Sequence, residues 1–223
     1  MADEAAALRT RMVNNQLRTF DVTDHRVQDA FLKVDRERFV PADLRPIAYS
    51  DEALPIVRDA FGRPVRTMTR PAVLGRLLQL AQPKEDDVVL LVGAGLGYTA
   101  AVLGELAGSV IALECDEDLA DAASAELEED VTNVVVVTGP LQAGWPKEAP
   151  FDIVFIDGAV LVEPTALIEQ LKVGGRLVTV FGEGLSGRSQ IYMRGEHGVS
   201  MRYTFNAAAS VLPGFREAPS FVF

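Results

Sequence analysis

The run Val88-Val89-Leu90-Leu91-Val92 ends abruptly in Gly93-Ala94-Gly95-Leu96-Gly97, and Tyr98 opens a helix-like segment. A second apolar run, Ser109-Val110-Ile111-Ala112-Leu113, follows and closes on Glu114. The pattern predicts a strand, a tight turn, a helix and a second strand with an acid at its tip. Two strands joined through a helix lie parallel, and a parallel sheet needs cover on both faces. This one unit therefore commits the chain to an α/β architecture, and its glycine turn is of the kind that builds a nucleoside pocket.

The rest of the chain keeps the same rhythm. Strands are expected near 88–92, 109–113, 133–137, 152–156 and 176–181, and helices near 98–107, 117–129 and 164–171. Gln190 to Arg194 and Val199 to Phe205 flank Gly195-Glu196-His197-Gly198, which reads as an antiparallel hairpin. Upstream, residues 3–17 read as a polar helix. Asp24 caps a second helix that carries Val27, Ala30, Phe31 and Val34 on one face. Four prolines between 41 and 66 imply an irregular connection with a short strand near 53–57, before a helix over 71–82. The expected organisation is one domain over 1–223. A helical and irregular extension (1–82) precedes a doubly wound, mainly parallel sheet (83–223) that ends in the hairpin.

With 48% hydrophobic residues the chain can fill a sizeable core, and its net charge of −11 argues against a general nucleic-acid partner. The one cysteine, Cys115, excludes an intrachain disulfide, and two histidines make no metal centre, so no metal is expected. No run reaches the length of a membrane span, and the first residues do not read as a secretory signal. The expectation is a cytoplasmic protein, most simply a monomer, with no membrane partner.

Glycine permits positive φ and close backbone approach, and the following helix N-terminus favours an anion. Gly93-x-Gly95-x-Gly97 with Tyr98 next suits S-adenosyl-L-methionine better than a dinucleotide pyrophosphate, the alternative being a tight turn with no ligand. Glu114 stands where an acid accepts both ribose hydroxyls, while Asp116, Glu117 and Asp118 read as first-turn acids of the next helix. Asp157, at the end of Phe151-Asp152-Ile153-Val154-Phe155-Ile156, points to the reacting centre or serves as a turn and cap residue. Thr69, two residues before Pro71, reads as a helix N-cap, a geometry that also suits a carboxylate. Glu126, Glu128, Glu129 and Asp130 read as a solvated helix face.

At these residues the chain resembles the protein-L-isoaspartate O-methyltransferase family. The likeness is carried by Met12 to Arg18, Arg38-Phe39-Val40-Pro41, Ala48-Tyr49-Ser50-Asp51-Glu52-Ala53-Leu54-Pro55-Ile56, Thr67-Met68-Thr69-Arg70-Pro71, Gly144-Trp145-Pro146 and Leu171 to Val178. The resemblance implies the Rossmann-like fold of class I methyltransferases. It implies transfer of a methyl group from S-adenosyl-L-methionine to the side-chain carboxylate of L-isoaspartyl residues in damaged proteins, the start of repair. It assigns Thr69 to the substrate carboxylate, and Gly93, Gly95, Gly97 and Glu114 to the cofactor; Asp157 is expected on the cofactor side from its place at a strand end.

Three positions depart from the family pattern. Leu91 replaces an acid before the glycine turn, Leu96 replaces a small residue, and Gly139-Pro140-Leu141 replaces Gly-Asp-Gly, whose aspartate would meet the adenine amino group. Three lost polar contacts at about 0.5–1.5 kcal/mol each would weaken cofactor binding by roughly a hundredfold. The segment Arg58 to Arg66 also replaces a shorter glycine-rich stretch. These departures keep two other readings open: a divergent paralogue that binds or regulates, and a methyltransferase for a different carboxylate.

Overall fold

The computed structural model describes residues 2–128 and 131–216. Helix α1 (Ala2–Met12) runs into a π-helical turn at Val13–Leu17, so the expected opening helix continues to Leu17 in a widened form. Helix α2 (His25–Lys33) starts at Asp24, whose carboxylate accepts the backbone N–H groups of Arg26 and Val27, as an N-cap should. Strands β1 (Leu54–Arg58) and β2 (Pro64–Met68) pair antiparallel in a separate two-stranded sheet. The second of these strands was not expected. Pro64 opens it and the Asp59–Arg63 turn precedes it, so proline density concealed a hairpin rather than a loop. Helix α3 (Pro71–Ala81) follows.

The core is a seven-stranded sheet in the order β5-β4-β3-β6-β7-β8-β9. Its strands are β3 (Val88–Val92), β4 (Ser109–Glu114), β5 (Val134–Thr138), β6 (Phe151–Val160), β7 (Leu171–Phe181), β8 (Arg188–Gly195) and β9 (Gly198–Asn206). The first five run parallel, and β8 and β9 form the antiparallel hairpin. Helices α4 (Tyr98–Gly104), α5 (Glu117–Leu127) and α6 (Thr165–Ile168) lie in the crossovers; α6 is a single turn, shorter than its apolar pattern suggested. Glu129 and Asp130 lie outside the described residues.

Successive residues of a strand point to opposite faces, and the central strands use both. Val89 and Leu91 of β3 join one core with Val110, Ala112, Phe155 and helix α3. Leu90 and Val92 join a second core with Leu113, Val154, Ile156, Leu167 and Phe215. The chain order reverses between β3 and β6, and in such sheets the ligand crevice opens at the carboxyl ends of the strands at that point. The glycine turn ends β3 and Asp157 lies near the end of β6, so both face the crevice.

Candidate active site

The turn after β3 has the backbone its glycines predict. Gly93, Gly95 and Gly97 take φ of 85°, 56° and 97°, which a side chain at Cβ would strain. Gly93 and Ala94 donate their N–H groups to the Leu113 carbonyl, and Gly97 donates to Ala94, so the turn is tied to the tip of β4. The N–H of Gly95 is left to point at the Glu114 carboxylate, 2.8 Å away.

Glu114 is fully buried, and its two oxygens are taken. Arg66 of β2, 6% exposed, donates through both terminal nitrogens, Nη1 to Oε1 at 3.0 Å and Nη2 to Oε2 at 2.9 Å. The N–H groups of Cys115 and Asp116 complete the shell at 2.8 and 3.3 Å. Burial alone would push the Glu114 pKa up, but the hydrogen bonds and charge of Arg66 outweigh it and hold it below the usual carboxylate range. Burial likewise works against the charge on Arg66, and its bonds to Glu114 reverse that and raise its pKa. The neighbouring Asp116 accepts the N–H of Leu119 as the N-cap of α5, leaving Glu114 as the acid that meets Arg66 and the glycine turn.

Thr69 does not cap α3. The cap residue is Arg70, and the first-turn N–H of Ala72 goes instead to the Asp51 carboxylate, 3.3 Å away. Thr69 turns its hydroxyl to Asp157, donating to Oδ1 at 2.6 Å, while Thr99 donates to Oδ2 at 2.5 Å. Asp157 is thus neither a turn nor a cap residue, because β6 runs through it to Val160. Burial raises its pKa against the lowering effect of the two hydroxyls and of Arg36 and Arg66. Arg36 braces this corner from beneath: fully buried, it donates to the carbonyls of Ala48 and Thr69 and lies 4.6 Å from the centre of the Tyr98 ring.

The three departures from the family pattern separate in space. Leu91 is fully buried, its backbone between Ala112 and Phe155, and packs into the core on the α3 face. Pro140 is exposed before a short 3₁₀ turn. Leu96 alone lines the cleft. Sequence reasoning missed the residues that crowd the glycine turn. A Cβ on Gly95 would stand 3.0 Å from Ile56 Cδ1, and a Cβ on Gly93 would stand 2.8 Å from Leu212 Cδ1. With Arg66 on Glu114, the enclosed space at the glycine turn is about 10 Å³, on the order of one water. The donor set fits a nucleoside, since a vicinal diol and a guanidinium present the same paired donors to a carboxylate. The volume does not admit one while these side chains are in place.

A doubly wound sheet, a glycine turn opening its first crossover and an acid at the tip of the next strand define the Rossmann-like class of nucleoside-binding folds. Within that class, a sequence model described as Protein-L-isoaspartate(D-aspartate) O-methyltransferase (PCMT) matches residues 8–209, and the chain belongs to this family. It is 41% identical over 175 residues to the protein-L-isoaspartate O-methyltransferase of Koribacter versatilis, covering 78% of this chain and 76% of that one. It is 40% identical over 173 residues to the enzyme of that name from Petrotoga mobilis, covering 77% and 78%. A solved protein-L-isoaspartate O-methyltransferase aligns with a TM-score of 0.80 at 22% identity, covering 92% of this chain and 66% of that one. A Plasmodium falciparum protein described as a putative protein-L-isoaspartate O-methyltransferase, in complex with S-adenosyl-L-homocysteine, aligns with a TM-score of 0.74 at 18% identity, covering 90% and 96%. At these identities the solved structures speak for the fold.

Proposed function

We propose that this protein transfers a methyl group from S-adenosyl-L-methionine to the free carboxylate of L-isoaspartyl residues in damaged proteins or peptides. The observation that carries the reading is the family match over residues 8–209. It is supported by a glycine turn and a buried acid of the right chemistry at the sheet's switch point. When bound, S-adenosyl-L-methionine supplies an already activated methyl sulfonium, so an ionised carboxylate attacks it directly. Carboxylates have reference pKa values near 4 and are ionised at neutral pH, so the transfer requires no histidine and no general base. The protein's task is alignment and exclusion of water.

In this reading Glu114 holds the ribose hydroxyls and Gly95 keeps its carboxylate oriented. Gly93 and Gly97 let the backbone approach, and Asp157, facing the cleft beside Thr99, anchors the cofactor side. Thr69 offers its hydroxyl to the substrate carboxylate, exchanging it from Asp157. No metal, nucleic acid or membrane enters the scheme. The proposed setting is the cytoplasm, with the chain as a monomer and the single Cys115 as a free thiol.

The test is methyl transfer to an isoaspartyl peptide and to its aspartyl twin. Labelling of the isoaspartyl peptide alone is expected, and equal labelling of both would point to a different carboxylate substrate. In a Thr69→Val variant the loss of one hydrogen bond to a charged group, about 1.5–3 kcal/mol, should slow transfer roughly 10- to 150-fold. Thr69→Ser should keep most of the rate. An unchanged rate in Thr69→Val would remove the residue from the assignment.

A further inference from the structure

We propose that the β1–β2 hairpin is a lid on the cofactor cleft, latched by Arg66, whose guanidinium occupies the carboxylate that ribose must use. The inference rests on the cofactor reading above and adds a step to it: Arg66 must leave Glu114 before a nucleoside enters.

Five observations bear on it. The paired bonds from Arg66 to both oxygens of Glu114 reproduce what a vicinal diol would donate, so latch and ligand compete for one acceptor. The register of the hairpin slips between Pro55 and Val57, which places Ile56 at a bulge opposite Arg66 and Thr67. Bulges re-aim side chains, and here Ile56 lies over Gly95. The hairpin shares no backbone ladder with the seven-stranded sheet, and an isolated two-stranded ribbon is weakly held by itself. Its tip is solvent-exposed, with Phe61 84% exposed, so no packing there resists movement. Finally, the hydroxyls of Thr67 and Ser210 lie 2.6 Å apart. They tie the hairpin to the segment that carries Leu212, the side chain packed over Gly93. Arg66 and Ile56 therefore close the cleft from one hairpin, and this hydroxyl contact is its tie to a segment held on β6.

A ligand that binds only the open form has its apparent affinity reduced by the open fraction. Weakening the latch must then tighten binding, whereas a residue that merely supported the site would weaken binding when removed. Calorimetry with S-adenosyl-L-homocysteine, titrated to the millimolar range, distinguishes these. Arg66→Ala should bind roughly tenfold or more tightly than the wild type, and Ile56→Ala, which strands no charge, by a few-fold. Arg66→Ala decides the matter where it folds; Ile56→Ala decides it where Arg66→Ala does not. Equal or weaker binding by the deciding variant overturns the lid and leaves the cofactor reading standing. No binding by the wild type or either variant overturns the cofactor reading, and the lid with it.

Discussion

Replacing Glu114 by Gln removes one charge from a pair that is almost wholly out of water. Arg66 and Glu114 side chains are 8% and 0% exposed and meet through two parallel hydrogen bonds. Gln has nearly the same shape but offers one acceptor where two stood, and its amide nitrogen meets a guanidinium that can only donate. Breaking a buried pair by removing one partner costs about 3–5 kcal/mol, because the other charge stays buried without compensation. The lower end applies here, since the glutamine oxygen still accepts one bond. About 3 kcal/mol in a chain of this length corresponds to a fall of roughly 6–12 °C in melting temperature.

The pH dependence gives a second, independent reading of the same pair. The folded pKa of Glu114 lies below its ordinary value. Its stabilising effect is therefore complete above the unfolded pKa, about 4.3, and is lost as pH falls through the folded pKa. The wild-type advantage over Glu114→Gln should hold from pH 7 down to about 5 and shrink below that. Melting curves of the two ligand-free proteins from pH 7 to pH 3 test it. A drop of less than about 2 °C at neutral pH, or a difference that stays flat to pH 3, would refute the account of a charged pair closing the cleft.

Two further substitutions probe the ends of β3 and β6. Leu91→Asp restores the acid usual in the family, yet here it would bury an unpaired carboxylate in the core beside Phe155. It should cost more than about 3 kcal/mol, and a melting temperature within about 2 °C of the wild type would show that Leu91 is not a core residue. Asp157 has a folded pKa raised by burial, so between its unfolded and folded values the native state holds the extra proton and stability falls as pH rises. Asp157→Asn has no such proton to lose; its melting temperature relative to wild type should climb from pH 4 toward neutrality, and a declining difference would contradict the burial argument.

The alternation of strand and helix was legible because each central strand is a run of branched apolar residues bounded by turn chemistry, as at Val88–Val92 and its glycines. The β8–β9 hairpin was equally plain from the Gly195 and Gly198 turn. The hairpin β1–β2 was not. Its pairing depends on contacts between Leu54 and Met68 and between Pro55 and Thr67, and Pro55 and Pro64 are themselves signals against a strand. Thr69 showed the limit of local reading: the sequence around Pro71 favours a cap, and only the arrival of Asp51 from another segment releases the threonine to Asp157. A signal for Arg66 did exist, in the unusual Arg58 to Arg66 segment, but it identified no partner, since Glu114 lies 48 residues away.

The three departures that bear on cofactor affinity cannot be added as equal losses. Leu91 points into the hydrophobic core rather than the cleft, so its effect is on packing. Pro140 stands exposed at a turn and is not among the residues that line the cleft. Leu96 lines the cleft but is one wall among several. The residue that most directly opposes a nucleoside is Arg66, which the glycine motif could not expose as a competitor because its chemistry resembles that of the ribose it replaces. If affinity is low in this chain, the cause is then a ligand supplied by the protein itself, and binding is recovered by weakening that internal contact rather than by restoring the family's missing acids. Reinstating an aspartate at Leu91 and truncating Arg66 should move cofactor affinity and stability in different ways, which makes the two explanations separable in one set of titrations.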